Sequence, residues 1–202
     1  AARDNQEEVA DQSKIPHPRL GFYGVIDERF DIDLIKQAAD AQPGWHFVLV
    51  GPIIKIDAST LPKNKNIHYL GPKTYEELPS YLSGWDIALI PFAINESTRY
   101  ISPTKTPEYL AGGKPVISTA ITDVINPYHE LGLVHIVQNA EDLVQMATSE
   151  LSMTDKSEWL TKVDEYLSTI SWNATWERMH ELMQNEIEAN PNLLTDKINQ
   201  YV

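Results

Sequence analysis

The stretch that decides the fold is residues 85–119, WDIALIPFAINESTRYISPTKTPEYLAGGKPVIST. It opens with a continuous apolar run, WDIALIP (85–91), and closes with a second one, KPVIST (114–119). Between them lies a helix-forming run that the glycine pair Gly112 and Gly113 ends. Two apolar strands joined by a helix are typical of a βαβ unit, whose strands lie parallel in a sheet that is covered on both faces.

The same alternation of apolar runs and amphipathic runs continues on both sides of this stretch. Short apolar runs that end on glycine predict buried strands, and apolar residues at helical spacing predict the helices between them. We therefore predict an α/β fold with a doubly wound parallel sheet of about six strands and helices on both faces. The other predicted strands are 20–24, 45–51, 67–71 and 133–137, and the predicted helices are 30–42, 74–84 and 140–151.

Composition divides the 202 residues into four parts. Residues 1–18 are polar and acidic and are interpreted as a linker or a ragged N-terminus, 19–152 form the α/β domain, 153–190 form C-terminal helices packed on or beside it, and 191–202 form a tail. Trp159, Trp172 and Trp176 are expected to pack in the core of those helices. Because the chain opens with AARDNQEE and no methionine, we expect it to be a fragment of a longer polypeptide.

The charge and the residue types exclude several classes of partner and chemistry. A formal net charge of −13 argues against nucleic acid and against an anionic membrane surface. The absence of cysteine excludes thiol catalysis and cysteine-bound metals, and it is consistent with a cytoplasmic protein. No apolar run is long enough for a membrane span, and no secretory signal opens the chain. The histidines lack metal-ligand spacing, so no metal is expected.

Lys105 and Glu108 lie where the predicted helix of the deciding stretch begins, at the carboxyl ends of the strands. Ligands bind at this edge of doubly wound sheets. Ser102 and Thr104 are candidates to cap the helix, and a lysine there suits a diphosphate. A carboxylate one turn later could accept hydrogen bonds from a vicinal diol. From the spacing alone, an ordinary surface pair of opposite charges is the simpler interpretation.

A second candidate is GFYGVIDERFD (21–31), a strand that ends on Gly24 and leads through a turn into a helix. Its backbone amides could hold a phosphate with Arg29 as a cationic partner, but a plain turn with Asp31 as helix cap explains the run equally well. The run matches neither G-x-G-x-x-G nor the P-loop pattern. The chain also shows no Ser-His-Asp signature and no nucleophile elbow.

These runs, taken together, resemble a known family. K-x-x-E-Y-L-A-x-G-K-P-V-I-S-T (105–119), with RLGFYGVIDERFD, WHFVLVGP and NIHYLGPKTYEELPSYLSGWD in the same order, resembles the donor-binding domain of group 1 glycosyltransferases of the GT-B fold. The similarity covers roughly residues 16–150. In that family two Rossmann-like domains face each other across a cleft, and the C-terminal one binds the nucleotide sugar.

The resemblance implies roles for particular residues, with no metal or other cofactor. One group of residues would bind the donor diphosphate, one residue the ribose hydroxyls, and a third group the nucleobase. These are Gly24, Arg29, Ser102, Thr104 and Lys105 for the diphosphate, Glu108 for the ribose, and Gly71, Pro72 and Lys73 for the nucleobase.

The chain departs from the family pattern at one position that bears on catalysis. Many retaining members carry a second glutamate eight positions before the ribose-binding one, where this chain has Tyr100, and Glu96 is out of register. The catalytic residues therefore stay unassigned. Lys105, Arg29 and backbone amides would stabilise the departing diphosphate.

The resemblance implies the nucleotide-sugar-binding half of a glycosyltransferase that uses a UDP or GDP sugar. An N-terminal acceptor-binding domain would complete it, and the fragment alone would transfer nothing. Half of a GT-B UDP-sugar epimerase and a non-catalytic doubly wound binding domain are the alternatives. Similar segments also occur joined to UDP-galactopyranose mutase, so a parent with that name is compatible with the resemblance, although this chain has no flavin fingerprint.

Overall fold

A computed structural model of the protein describes Arg3 and residues 9–190. Its centre is one six-stranded sheet in which every paired strand is parallel, in the order β3-β2-β1-β4-β5-β6. This arrangement confirms the predicted Rossmann-like doubly wound fold. The strands are β1 Arg19–Tyr23, β2 His46–Val50, β3 Ile67–Gly71, β4 Ile87–Ile90, β5 Val116–Thr119 and β6 Val134–Val137.

Seven helices connect and follow the strands in the described part of the chain. Helices α1 and α5 pack against each other. Because crossovers between parallel strands are right-handed, the connections toward β3 and toward β6 place their helices on opposite faces of the sheet. The helices are α1 Ile32–Ala41, α2 Leu78–Ser83, α3 Lys105–Ala111, α4 Thr122–Val124, α5 Ala140–Ser152, α6 Ser157–Thr169 and α7 Trp172–Ala189, with short helical turns at Ala58–Thr60 and Ile125–His129.

The sheet forms the core because its central strands are buried on both sides. All residues of β1, β4 and β5 are buried, and β2 is buried from Phe47 onward. Trp85 packs flat over β1, where a Cβ on Gly21 would lie 1.9 Å from its ring. The strand order reverses between β1 and β4, so the crevice at their carboxyl ends is where such a fold binds ligands.

The predicted elements match the observed ones closely, with one difference at α2. The sequence pattern predicts a helix over 74–84, and the structure has it over Leu78–Ser83. Pro79 explains the later start, because proline has no N–H and its ring is tolerated only in the first turn. Residues 74–77 form a turn instead, in which the Thr74 amide donates to the Glu77 carboxylate at 2.8 Å.

The N-terminal segment contributes buried side chains from residue 9 onward. Gln12 is fully buried: its amide donates to Tyr81 O at 3.0 Å and its oxygen accepts from Trp85 Nε1 at 2.8 Å. Ile15 is also buried. The segment interpreted as a linker or a ragged terminus therefore packs on the domain over the part that the structure describes.

The chain divides into two compact units, residues 1–163 and 164–202. In the first unit, Trp159 is half-buried and donates from its indole to Leu133 O at 3.2 Å. In the second, core packing of Trp176 is wrong, because this residue on α7 is 60% exposed. The side chain of Trp172 and the tail 191–202 lie outside the described residues. None of the helices within residues 9–190 combines the length and the apolar character that crossing a bilayer requires.

Candidate functional site

A cavity of about 280 Å³ lies at the carboxyl ends of β1 and β2, beside the start of α3. It is where the topology of the sheet places a ligand site. Its walls include backbone at two glycines, three charged side chains (two lysines and one glutamate) and two tyrosine rings. The lining residues are Tyr23, Gly24, Val25, Val50, Gly51, Pro52, Lys73, Tyr75, Leu78, Thr104, Lys105 and Glu108.

Two glycines allow the backbone to approach closely at this cavity. Gly24 and Gly51 have φ of +143° and +148°, which side-chain-bearing residues rarely adopt. A Cβ on Gly51 would lie 1.9 Å from Gly24 O, and one on Gly24 would lie 2.6 Å from Lys105 Cε. The missing side chain at Gly24 therefore makes the space that the Lys105 side chain occupies.

Lys105 is a half-buried cation that forms no hydrogen bond and no ion pair in the described part of the chain. Its ammonium group lies over the rings of Phe22 and Phe92, 5.9 Å and 5.8 Å from their centroids, so its only contacts of this kind among residues 9–190 are long cation–π contacts. Burial lowers the pKa of Lys105, and the nearby Glu108 charge opposes this only in part. A desolvated ammonium that lines a cavity is a site for an anion, because the anion supplies the missing charge partner.

Glu108 is not paired with Lys105, so the surface-pair interpretation of their spacing does not describe the structure. One carboxylate oxygen, Oε2, accepts a hydrogen bond from the Tyr23 hydroxyl at 2.6 Å. Burial, with Tyr109 and Glu108 close by, raises the pKa of Tyr23, which therefore stays protonated. Glu108 also borders a second, more apolar cavity of about 230 Å³ between α2 and α3, which shares Tyr23, Tyr75 and Leu78 with the first.

Five residues predicted for the site line the first cavity together: Gly24, Lys73, Thr104, Lys105 and Glu108. Four others are not among its lining residues, namely Arg29, Ser102, Gly71 and Pro72. Their predicted roles stay predictions, since no bound nucleotide tests them.

Arg29 forms an ion pair with Asp27. Its guanidinium contacts both oxygens of Asp27, with Nη2 at 2.6 Å from Oδ2 and Nε at 3.0 Å from Oδ1. Asp27 is buried, and its bonds to Arg29 lower the pKa of Asp27. The helix cap that follows is the predicted one, because Asp31 Oδ1 accepts from the Leu34 amide at 2.9 Å.

Lys73 reaches the cavity but is bound to the N-terminal segment. Its ammonium lies 2.7 Å from Asp11 Oδ2, and the Tyr81 hydroxyl donates to the same carboxylate at 2.8 Å. These contacts raise the pKa of Lys73, first through the bond to Asp11. The loop after β3 is thereby fixed to residues near the start of the chain.

The predicted capping of α3 by Ser102 and Thr104 is wrong. The helix begins at Lys105 without a side-chain cap, and Thr104, the residue before it, has helical backbone angles. A capping side chain needs an extended backbone to turn back onto the first amides, so Thr104 is unable to reach them.

A further cavity of about 440 Å³ follows β4 and β5. Glu96, the nearest carboxylate to the position where many relatives have one, lies in its wall with Arg99. Tyr100 itself is 82% exposed. The charged side chains that line this cavity are exposed, whereas Lys105 in the 280 Å³ cavity is half-buried.

Sequence reasoning missed two tyrosines of the site. Tyr23 ends β1 and reaches Glu108 across 85 positions of sequence, a contact that no local pattern reveals. Tyr75 follows β3 and lines both smaller cavities. For Tyr23 the sequence did carry a signal, because it lies at the end of the predicted strand 20–24, next to Gly24. Tyr75 fell within the predicted helix 74–84, two positions after Lys73, so its only signal was nearness to the end of the strand 67–71.

Comparison with known proteins identifies the class. The family model described as glycosyl transferases group 1 matches residues 17–152, more than half of the chain. The chain therefore belongs to this family and is a group 1 glycosyltransferase domain.

Individual relatives agree with this assignment. The chain is 35% identical over 103 residues to TuaH of Bacillus subtilis strain 168, which is named as a teichuronic acid biosynthesis glycosyltransferase; the match covers 50% of this chain and 26% of that protein.

Among solved structures it is similar to HepE of Anabaena in complex with UDP and glucose (TM-score 0.66, 13% identity, 86% of this chain). It is also similar to sucrose-phosphate synthase of Thermosynechococcus elongatus (TM-score 0.64, 19% identity, 90% of this chain). At these identities the similarity shows the fold alone. The chain spans half the length of both structures, 50% in each case.

Proposed function

We propose that this domain binds the nucleotide-sugar donor of a glycosyltransferase, with a UDP sugar first and a GDP sugar second among the candidates. The observation that carries the proposal is Lys105, a desolvated cation without a partner in the described chain, lying on Gly24 at the switch point of a doubly wound sheet. A bound diphosphate would provide the negative charge with which the Lys105 ammonium could form an ion pair. UDP is placed first because HepE was solved with UDP.

The surroundings of Lys105 are consistent with the other parts of a nucleotide. Glu108 lines the same cavity and offers a carboxylate that could accept from the two ribose hydroxyls. Tyr75 and Leu78, common to both smaller cavities, provide an aromatic and an apolar surface for the base, next to the predicted Lys73. In transfer, Lys105 would stabilise the negative charge that develops on the departing diphosphate.

We propose further that an acceptor-binding domain of the parent protein covers this cavity. Five exposed apolar side chains of the first unit lie on the loops that follow the carboxyl ends of the strands: Ile53 and Ile54 after β2, Tyr75 after β3, and Ile94 and Tyr100 after β4. Apolar side chains that surround a ligand site are typical of a surface that meets another domain. Transfer would require both domains, so the domain alone would bind a donor without transferring its sugar. A cytoplasmic location, which the lack of cysteine favours, belongs to the same proposal.

Calorimetric titration with UDP, GDP and ADP tests the proposal, with Glu108→Ala beside the unchanged chain. We expect one of the first two nucleotides to bind and Glu108→Ala to weaken it by about tenfold or more, since hydrogen bonds to a charged group contribute about 1.5–3 kcal/mol. Glu76→Ala is the matched control, because Glu76 is an exposed carboxylate outside both smaller cavities.

Absence of binding by every nucleotide, or binding that does not depend on Glu108, would refute the donor role and favour a non-catalytic domain. Sugar transfer by the 202-residue chain alone would refute the need for a second domain.

A further inference from the structure

We propose that Tyr23 is a positioning residue for Glu108: it fixes the carboxylate so that the other oxygen, Oε1, is presented to the vicinal hydroxyls of the donor ribose. The inference rests on the proposed donor-binding function. It adds a residue from β1 to a role otherwise carried by α3.

The contact between the two side chains is short. Tyr23 Oη lies 2.6 Å from Glu108 Oε2, within the range of a hydrogen bond from a hydroxyl to an ionised carboxylate. Over residues 9–190, Oε1 of Glu108 has no hydrogen bond. Since Glu108 lines both smaller cavities, the unused oxygen is the one left for a ligand.

The phenol is itself held in place, so it can determine where the carboxylate lies. Tyr23 is 6% exposed; its ring packs edge-on against Tyr109 at 4.8 Å between centroids, and at a tilt against Trp85 at 5.8 Å. The Tyr23 amide donates to the Tyr109 hydroxyl at 3.0 Å, which fixes the backbone as well. Tyr23 stays protonated because burial raises its pKa, so it donates to Glu108 at any ordinary pH.

A flexible glutamate that is ordered before the ligand arrives need not lose its rotamer freedom on binding. The loss on immobilising such a side chain corresponds to roughly two- to tenfold in affinity. If Tyr23 supplies this ordering, removing its hydroxyl should weaken ligands that carry the ribose diol and leave unchanged those that lack it. A purely structural bond between β1 and α3 would not distinguish the two kinds of ligand.

The test measures the dissociation constants of UDP and 2′,3′-dideoxy-UDP for the 202-residue chain and for Tyr23→Phe, which keeps the packed ring. Tyr69→Phe is the matched control: Tyr69 is a half-buried tyrosine whose hydroxyl donates to Pro62 O at 3.3 Å, outside both smaller cavities. The same two dissociation constants are measured for Glu108→Gln alone and for Glu108→Gln combined with Tyr23→Phe.

We expect Tyr23→Phe to weaken the binding of UDP by roughly two- to tenfold and to leave the binding of dideoxy-UDP unchanged, so the preference for UDP over dideoxy-UDP should shrink. In the Glu108→Gln background, Tyr23→Phe should have no further effect on that preference. If Tyr23→Phe keeps the full preference for UDP, Tyr23 has no positioning role, and donor binding stands without it. If the unchanged chain binds neither ligand, or binds both equally, ribose recognition by Glu108 fails and this inference fails with it.

Discussion

Replacing Lys105 by methionine should have opposite effects on the empty and the occupied protein. Methionine keeps the length of the stem beside Phe22 and Phe92 and removes only the charge. In the empty protein the ammonium is half-buried and has only two long contacts with aromatic rings, with no hydrogen bond or ion pair in the described chain, so its removal should stabilise the fold. A buried unpaired polar group costs about 1–3 kcal/mol, and partial exposure places Lys105 at the low end, about 1 kcal/mol. For a domain of this length that corresponds to a rise in Tm of about 2–4 °C.

With UDP present the same substitution should be harmful. A charged hydrogen bond to the diphosphate contributes about 1.5–3 kcal/mol, so affinity should fall by roughly 10- to 150-fold. Uridine has no phosphate, and its binding should not change. Because burial lowers the pKa of free Lys105 and a bound diphosphate favours the ammonium form, UDP affinity should fall as pH rises through that lowered pKa. Lys105→Met should lack this dependence.

Thermal unfolding with and without UDP, together with calorimetry from neutral to alkaline pH, measures all of these effects. The decisive pattern is a higher Tm without ligand and a smaller ligand-induced rise than in the unchanged chain. A fall in Tm without ligand would mean that Lys105 has a stabilising partner in the protein. Equal UDP affinities would mean that the cavity beside Gly24 does not hold the diphosphate.

Two further predictions concern stability. Thr106 is fully buried and its hydroxyl is without a partner in the described chain, so Thr106→Val should raise the unfolding free energy by about 1 kcal/mol in urea titration, whereas no gain would mean that the hydroxyl is satisfied. His46 Nδ1 and His68 Nε2 lie 2.9 Å apart; burial and then Arg19 lower the pKa of His46, and burial and then His46 lower that of His68. Both rings are therefore neutral in the fold while the unfolded chain takes up protons below about pH 6.5, so stability should be full above that pH and fall as pH decreases below it. Urea titrations at several pH values should show that His68→Gln loses less unfolding free energy on acidification than the unchanged chain. An equal loss in both would refute the role of the histidine pair.

The strands could be predicted from the sequence because both faces of the sheet are covered. Runs such as IALI and FVLV have no polar face, and Pro91 and Gly51, which follow them, mark the carboxyl edge. That edge in turn placed Lys105 and Glu108 near each other and near Gly24. Helix ends were less predictable where a proline decides them, as Pro79 does for α2.

Pairing of the charged side chains could not be predicted in this way. From the sequence, Arg29 could bind either an anionic ligand or a carboxylate of the protein. In the structure it binds Asp27, the buried residue two positions earlier. Lys73 is bound by Asp11, 62 positions away. Such choices depend on which carboxylates the fold buries, and burial is a property of the assembled sheet and helices rather than of local spacing.

Two groups at the start of α3 have no hydrogen bond or ion pair within residues 9–190, and the one that lines the cavity supports a ligand site there. Lys105 forms no ion pair in the described chain although Glu108 stands one turn away, and one oxygen of that carboxylate is bonded to Tyr23 instead. Thr106 is the next residue and is buried without a partner in the same described part. Neither feature helps the domain to fold, since the apolar strands provide the core. A group that destabilises a fold and lines its ligand-binding edge is most simply explained by a bound state in which it is satisfied. Lys105 meets this condition with a diphosphate, whereas Thr106 does not line the cavity, which is why the two substitutions separate function from stability.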